Sequence, residues 1–253
     1  MDIGPAAAAK ANGLTTVVDT IVAPKEAFER LRVAPTWGVA ALIIVVLTIL
    51  SAILAQPVNN HVGVAMVQHM IATNPSISGM SDAAKQKMLD DAAHPAAWKA
   101  FGLNPLLGVV GMGFVFLLNA LCLLIGNAIG RGTGSFRSLW AASVNIGVPT
   151  AALGQLFVAI VGIIRGPEAF ASMADLFHAV PSLAWIVPGA GGLIGGMLGS
   201  ISVFVLWGLA LNYMALRHTA EVKGTVAWIV PAAITLVGAL VSGGLLALAQ
   251  KFA

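Results

Sequence analysis

Charged positions divide this chain more sharply than any other feature. Uncharged, largely apolar intervals run over 33–81, 100–130, 138–164, 176–216 and 224–250, and each is long enough to cross a bilayer once. The pattern predicts five membrane helices, at about 37–55, 106–128, 139–163, 186–212 and 226–249. The first of these gives roughly 28 Å of helix at about 1.5 Å per residue, close to a hydrocarbon core of about 30 Å. A different pattern precedes it. Leu14, Val17, Val18, Ile21 and Val22 recur at helical spacing, with Thr15, Thr16, Asp19 and Thr20 on the other face. Pro24 has no N–H to donate and suits a first helical position, so a fresh helix is expected over 24–32. Its wet side pairs Glu26 with Arg30 and Lys25 with Glu29, while Phe28 and Leu31 face the other way. Pro35 makes the second break. The fold class that follows is an all-α membrane protein, a five-transmembrane-helix bundle with an N-terminal amphipathic interfacial segment. Residues 1–13 are read as a disordered Ala-rich tail, 14–36 as a cytoplasmic amphipathic collar and 37–249 as the membrane domain. The tail lacks a secretory apolar core, which leaves the 37–55 helix as an uncleaved signal anchor.

Composition strengthens the membrane reading. Apolar residues make up 58% and charged residues 9%, against roughly 45–50% and about 25% in soluble domains, so a water-soluble fold could not clothe its surface. The net charge of +3 is too slight to imply nucleic acid and adequate for contact with anionic lipid headgroups. The lone Cys122 can form no intrachain disulfide. Lys10, Lys25, Arg30 and Arg32 precede the first span, Arg131 and Arg137 fill the second connection, and Arg217 and Lys223 fill the fourth. Lys85, Lys87, Lys99, Arg165 and Lys251 are spread through the opposite side, so the positive-inside rule places the N-terminus in the cytoplasm and the C-terminus outside. In the external connection 56–104, Ser81 is expected to cap a helix beginning at Asp82 and ending before Pro95, with Trp98 and Phe101 at headgroup level. The connection 165–185 starts at Pro167, stops at Pro181, and carries Phe170, Met173 and Phe177 as a helix lying on the membrane surface or as a lid.

Glycine patterning speaks to packing. In the fourth span Gly191, Gly195 and Gly199 form one line and Gly192, Gly196 and Ser200 the adjacent one. Such small-residue ridges let another backbone approach closely, and lipid supplies no hydrophobic drive to replace that contact. Gly108, Gly111, Gly113 and Gly126, or Gly238, Gly243 and Gly244, are the counterparts within the chain; a second copy is the alternative.

No catalytic constellation emerges. His61, His69, His94, His178 and His218 all fall outside the predicted spans, and no Asp or Glu lies inside one. A paired-carboxylate protease, a His-Glu-x-x-His zinc enzyme and a nucleophile with its base are each without their residues. His61 and His69 share a helical face but stand two turns apart, too far to hold a zinc unaided. No metal or cofactor is expected. Asn119, Asn145, Gln155 and Asn212 are the intramembrane polar set, read as interhelical hydrogen-bonding groups. The functional alternative is a small polar cavity at Asn145 and Pro149, where the proline frees the carbonyl four residues earlier.

Three passages carry a family resemblance: VAPKEAFERLRVAPTW at 22–37, GRGTGSFRSL at 130–139 leading to Pro149, and the 217–227 stretch that opens the last span. Together they resemble the Yip family, and its bacterial branch in particular. There a cytoplasmic segment matched by Pro24, Phe28, Leu31 and Pro35 precedes five spans. A Gly-rich turn matched by Gly132, Gly134, Ser135 and Phe136 follows the second span, and a proline interrupts the third. The resemblance implies a five-span membrane protein, and its eukaryotic relatives are associated with Rab-type GTPases and vesicle traffic. The short Ala-rich tail has none of their longer acidic and aromatic cytosolic region, which speaks against a GTPase-binding role, and the many alanines with no secretory-pathway sorting motif favour a bacterial inner membrane. The expected function is non-catalytic: an interaction, membrane-organising or trafficking-related protein in contact with the lipid bilayer and with a membrane-protein partner or a second copy. Pro24, Phe28, Leu31, Pro35, Asn145, Pro149, Gly191, Gly195 and Gly199 are its candidate interaction residues. A passive channel or carrier for a small neutral solute or lipid is the alternative.

Overall fold

The computed structural model describes residues 12–251 apart from 173–174, 176–178, 188–189 and 191. The chain opens with two short helices, α1 (Gly13–Val22) and α2 (Pro24–Val33). The Asn12 side chain caps α1 by accepting from the Leu14 N–H at 3.1 Å, and Pro24 occupies the first turn of α2, where its missing N–H costs nothing. Then come α3 (Gly38–Leu54), α4 (Gln56–Thr73), the single turn α5 (Pro75–Ser78) and α6 (Asp82–Ala93), the last capped by Ser81. A π-turn (Lys99–Leu103) leads into α7 (Asn104–Ile129). α8 (Phe136–Gly147) starts from a capping box between Ser135 and Ser138 and passes through a π segment (Val148–Ala152) into α9 (Leu153–Arg165). After short 3-10 turns at Pro167–Ala169 and Leu183–Trp185 follow α10 (Gly192–Ser200) and α11 (Val203–Met214). A π-turn (Ala215–Thr219) and α12 (Val226–Lys251) complete the described chain.

Among the described residues, four helical stretches are long and apolar enough to cross a membrane: Gly38–Thr73, Lys99–Ile129, Phe136–Arg165 and Val226–Leu245. Only 22% of the apolar window is buried in three of them and 39% in Phe136–Arg165, so most of their side chains face outward and need an apolar solvent. Two expectations change at this point. The helix beginning at Gly38 does not stop at 55 but runs on through α4. The expected fourth span, 186–212, is not one helix: it breaks between Ser200 and Val203, where Ile201 and Ser202 pair with the 181–183 strand-like stretch. Leu183 N–H donates to Ile201 O at 3.1 Å and Val203 N–H to Pro181 O at 3.1 Å, which satisfies the backbone that the helix gives up. At Pro149 the backbone widens into a π segment, the usual accommodation of a residue that cannot donate into the ladder.

The chain divides into two compact units. The first is built from Met1–Val46, Gly111–Leu153 and Leu206–Thr235, the second from Leu47–Val110, Gly154–Val205 and Leu236–Ala253. In the first, Phe28 and Leu31 of α2 join Leu123, Leu139, Ala142, Leu211, Leu216, Ala220 and Val222 in one core. Asn119 Nδ2 donates to Ser143 Oγ and to Asn212 Oδ1, each at 3.0 Å, so three helices share one polar knot. In the second unit α4 packs on α6, and Val58 and Val62 form a smaller cluster with Phe170 and Ala179. Phe170 is fully buried there, with the Arg165 guanidinium 5.1 Å from its ring centroid, rather than lying on a membrane surface as its position in the 165–185 connection implied. Met173 and Phe177 of that connection lie outside the described residues.

Candidate functional site

The first unit concentrates the features that sequence motifs and structure have in common. α7 ends in a tight reversal: Arg131 N–H donates to Ala128 O at 3.2 Å and Gly132 N–H to Asn127 O at 2.8 Å, the paired bonds of a Schellman cap. The turn that follows is held from inside by the Asn127 side chain, whose Nδ2 donates to Gly134 O at 2.9 Å and whose Oδ1 accepts from Gly134 N–H at 3.1 Å. Thr133 N–H donates across to Ala220 O at 2.8 Å. A Cβ on Gly132 would run into Asn127 Oδ1 and Ala220 O, and one on Gly134 would meet Ala220 Cβ at 2.8 Å. The glycines of this turn are therefore required by close approach.

The collar docks onto the same region. Ala27, Phe28 and Leu31 have no exposed surface, and the Thr219 hydroxyl donates to Phe28 O at 2.9 Å. Polar and charged groups pin its rim: Arg30 pairs with Asp19 at 2.7 Å and Arg32 with Glu221, and the His218 imidazole lies 3.5 Å from the Glu29 carboxylate. Glu221 also accepts from the Thr133 hydroxyl at 2.6 Å. That hydrogen bond first, and then the Arg32 guanidinium, hold the Glu221 carboxyl below its ordinary range. Burial, more than the opposing pull of Glu29, lowers the pKa of His218. Gly130, Arg131, Thr133, Glu221 and Lys223 line an open cleft of about 410 Å³.

Of the candidate interaction residues, Pro24 starts α2 and Pro35 stands in the break between α2 and α3. Phe28 and Leu31 are spent on the protein's own core, so α1 carries the outward apolar face of the collar. Leu14, Val18 and Val22 are 53%, 48% and 72% exposed, while Thr16, Val17 and Thr20 on the opposite side are buried. Asn145 is 1% exposed and its Nδ2 donates to Thr36 O at 2.9 Å and to Ala141 O at 2.8 Å, tying the Pro35–Trp37 corner to α8. Its Oδ1 has no hydrogen-bond partner among the described residues. Trp37 and Trp140 meet edge-on at the same corner, with ring centroids 6.0 Å apart. Pro149 is buried in the π segment that α1 packs against. Gly195 and Gly199 are buried in α10; Gly191 lies outside the described residues. Gly195 closes on nearby backbone, where a Cβ would run into Ala190 O, and the close approach to another helix is made by Gly196, whose Cβ would meet Gly243 Cα at 2.9 Å. Asn127, Thr219 and Glu221 were not singled out by sequence reasoning, and Arg131 entered it only as a charge that sets orientation, although all four lie within or beside the 130–139 and 217–227 passages.

Among the described residues no group of three or more His, Cys, Asp or Glu is placed to hold a metal ion. Apolar helices of spanning length, lipid-exposed flanks and a polar-edged collar define a multi-pass helical membrane protein. The chain belongs to the Yip1 family: the Yip1 domain matches residues 18–245, from α1 into the last helix. No curated protein and no solved structure matches it.

Proposed function

We propose that this protein is a non-catalytic organiser of a bacterial inner membrane, with a cytoplasmic N-terminus, an external C-terminus and a collar that engages the inner leaflet through α1. The observation that carries this reading is the two-sidedness of α1. One side is buried on α2, α8 and the Pro149 segment, and the other leaves Leu14, Val18 and Val22 open. Side chains of this size cost on the order of 1.5–3 kcal/mol each to hold in water rather than in an apolar medium, so acyl chains are the economical cover. Stacked Tyr213 and Trp228 (3.8 Å) and the Trp37–Trp140 pair support an interfacial level near the collar, where amphipathic rings collect. Arg131, Arg137, Arg217 and Lys223 follow or precede the helices at this end, which favours the cytoplasmic side.

The test is a spin label at Val18→Cys in a Cys122→Ala background, reconstituted in liposomes. The label should be accessible to oxygen and shielded from a water-soluble nickel chelate. Equal access to both reagents would contradict a collar seated in the leaflet.

A second reading, a passive carrier for a small neutral solute or lipid, draws on the interrupted α10–α11 span, because broken helices are a recurrent feature of transport pathways. Ser182, 9% exposed, has a hydroxyl without a hydrogen-bond partner among the described residues and lies beside that break. Solute flux into liposomes that disappears in Ser182→Ala would favour it; flux unchanged by that substitution would count against it.

A further inference from the structure

The cleft at the end of α7 holds a combination that neither the helix caps nor the collar needs. Among the described residues, Arg131 (φ 51°) and Glu221 (φ 55°) are the non-glycine residues with left-handed backbone, and both line it. Arg131 fills the cap position where glycine is usual, although glycines stand directly on either side at 130 and 132. A side chain in left-handed backbone is strained, and such strain gathers at functional positions, which directs attention to the guanidinium. Glu221 fills the equivalent place after the π-turn, where Val222 N–H reaches back to Leu216 O at 2.9 Å.

The charges in the cleft do not balance. Glu221 is already engaged by Arg32 and by the Thr133 hydroxyl. Arg131 and Lys223 are exposed and neither forms a salt bridge among the described residues; Lys223 acts on Glu221 only as the weakest of the influences that lower its pKa. The carbonyls that could have employed these cations are bonded elsewhere: Asn127 O and Ala128 O within the cap, and Val222 O to Arg217 Nη1 at 3.1 Å. A guanidinium and an ammonium thus line one open volume of about 410 Å³ together with a single carboxylate, Glu221, that Arg32 and Thr133 already engage, and the surplus of cations suits an oxyanion with several acceptor oxygens. Lys223 lies just before α12, whose Trp228 ring stacks on Tyr213, so the cleft falls at the level where headgroups lie.

We propose that this cleft is a phosphate-group site, with Arg131 and Lys223 as its cationic donors, occupied by the headgroup of an anionic phospholipid. The phosphate chemistry stands on the cleft alone; the lipid source rests on the bilayer reading above.

The experiment uses the full-length protein in nanodiscs of phosphatidylcholine with increasing phosphatidylglycerol, and native mass spectrometry reads the lipid retained per chain, with and without added inorganic phosphate. Wild type should retain phosphatidylglycerol in preference to phosphatidylcholine. Arg131→Asn with Lys223→Gln should weaken that retention about tenfold or more, since each cation near an anionic surface contributes about 1 kcal/mol. Asparagine tolerates left-handed backbone, and Lys223→Gln alone, at an exposed position, should show part of the loss if the double variant proves unstable. Arg137→Gln, in the same connection but outside the cleft lining, should retain lipid as wild type does. Displacement of phosphatidylglycerol by inorganic phosphate would keep the site and overturn its lipid source. Absence of any preference in wild type, or equal loss in Arg137→Gln, would overturn the site itself. The spin label on α1 should report the same accessibility in the cleft variants, so a failure here is distinguishable from a failure of the collar reading.

Discussion

At 130–134 the glycines make room for the amide of Asn127 and the backbone of Ala220; at 196 and 243 they make room for each other. The first arrangement is a polar lock, closed by side-chain bonds from Asn127 and by Thr133 N–H to Ala220 O. The second is bare van der Waals contact, in which a Cβ on Gly243 would meet Met197 N at 2.6 Å and Leu193 O at 3.0 Å. Both regions are glycine-rich, yet only the first couples to charge. Because its turn is held in one conformation, it can present Arg131, Thr133 and Glu221 at fixed positions and let Arg32 of the collar close against them. The second brings two helices together and presents nothing polar at the contact. Small residues alone therefore mark proximity; small residues beside a buried amide mark a place where function can be built.

The comparison can be broken at several strengths. Phe28→Ala should have the largest effect, about 3–5 kcal/mol, because it empties a fully buried position shared by the collar and the core. Thermal unfolding in mild detergent would register it, and protease cleavage within 13–33 should accelerate. Gly132→Val should cost about 1–3 kcal/mol by the same unfolding measurement, whereas Gly111→Val, where a Cβ meets nothing within 4 Å, should stay within about 0.5 kcal/mol. Similar values for the two would mean that the turn is not tightly packed. Thr219→Val removes the hydroxyl that reaches Phe28 O and should cost about 1 kcal/mol, with faster amide exchange in α2 rather than in α10.

The smallest effect concerns pH. In the folded protein His218 binds its proton less tightly than at its unperturbed value of 6.5, so the unfolded chain takes up more protons as the solution is acidified. Stability should therefore rise with pH in this window and decline as pH falls below about 6.5. His218→Gln should flatten that slope in a pH series of unfolding midpoints. A slope of the opposite sign would mean that Glu29, not burial, governs this imidazole.

Much of the helical layout was legible because it depends on one strong variable, the absence of charge over membrane-length runs. The 37–55, 106–128 and 226–249 intervals are occupied by α3, α7 and α12, and the 24–32 helix by α2. The break at Ile201 and Ser202 was not legible: neither residue is a helix breaker, and the interruption is compensated by pairing with the 181–183 stretch, which no local pattern announces. Periodicity likewise identified Phe28 and Leu31 as an apolar face without revealing what covers it, since helical spacing is the same whether the cover is lipid or protein. The left-handed Arg131 escaped notice because its glycine neighbours suggest that glycine itself takes the unusual backbone, and the left-handed Glu221, between Ala220 and Val222, has no local signal at all.

The most direct test of the account is hydrogen–deuterium exchange of the 13–33 segment in nanodiscs. A docked collar predicts α1 and α2 amides protected to the same order as those of α8, with Phe28→Ala releasing both helices together. Exchange of 13–33 at the rate of an unstructured peptide, in a protein whose α8 remains protected, would contradict it.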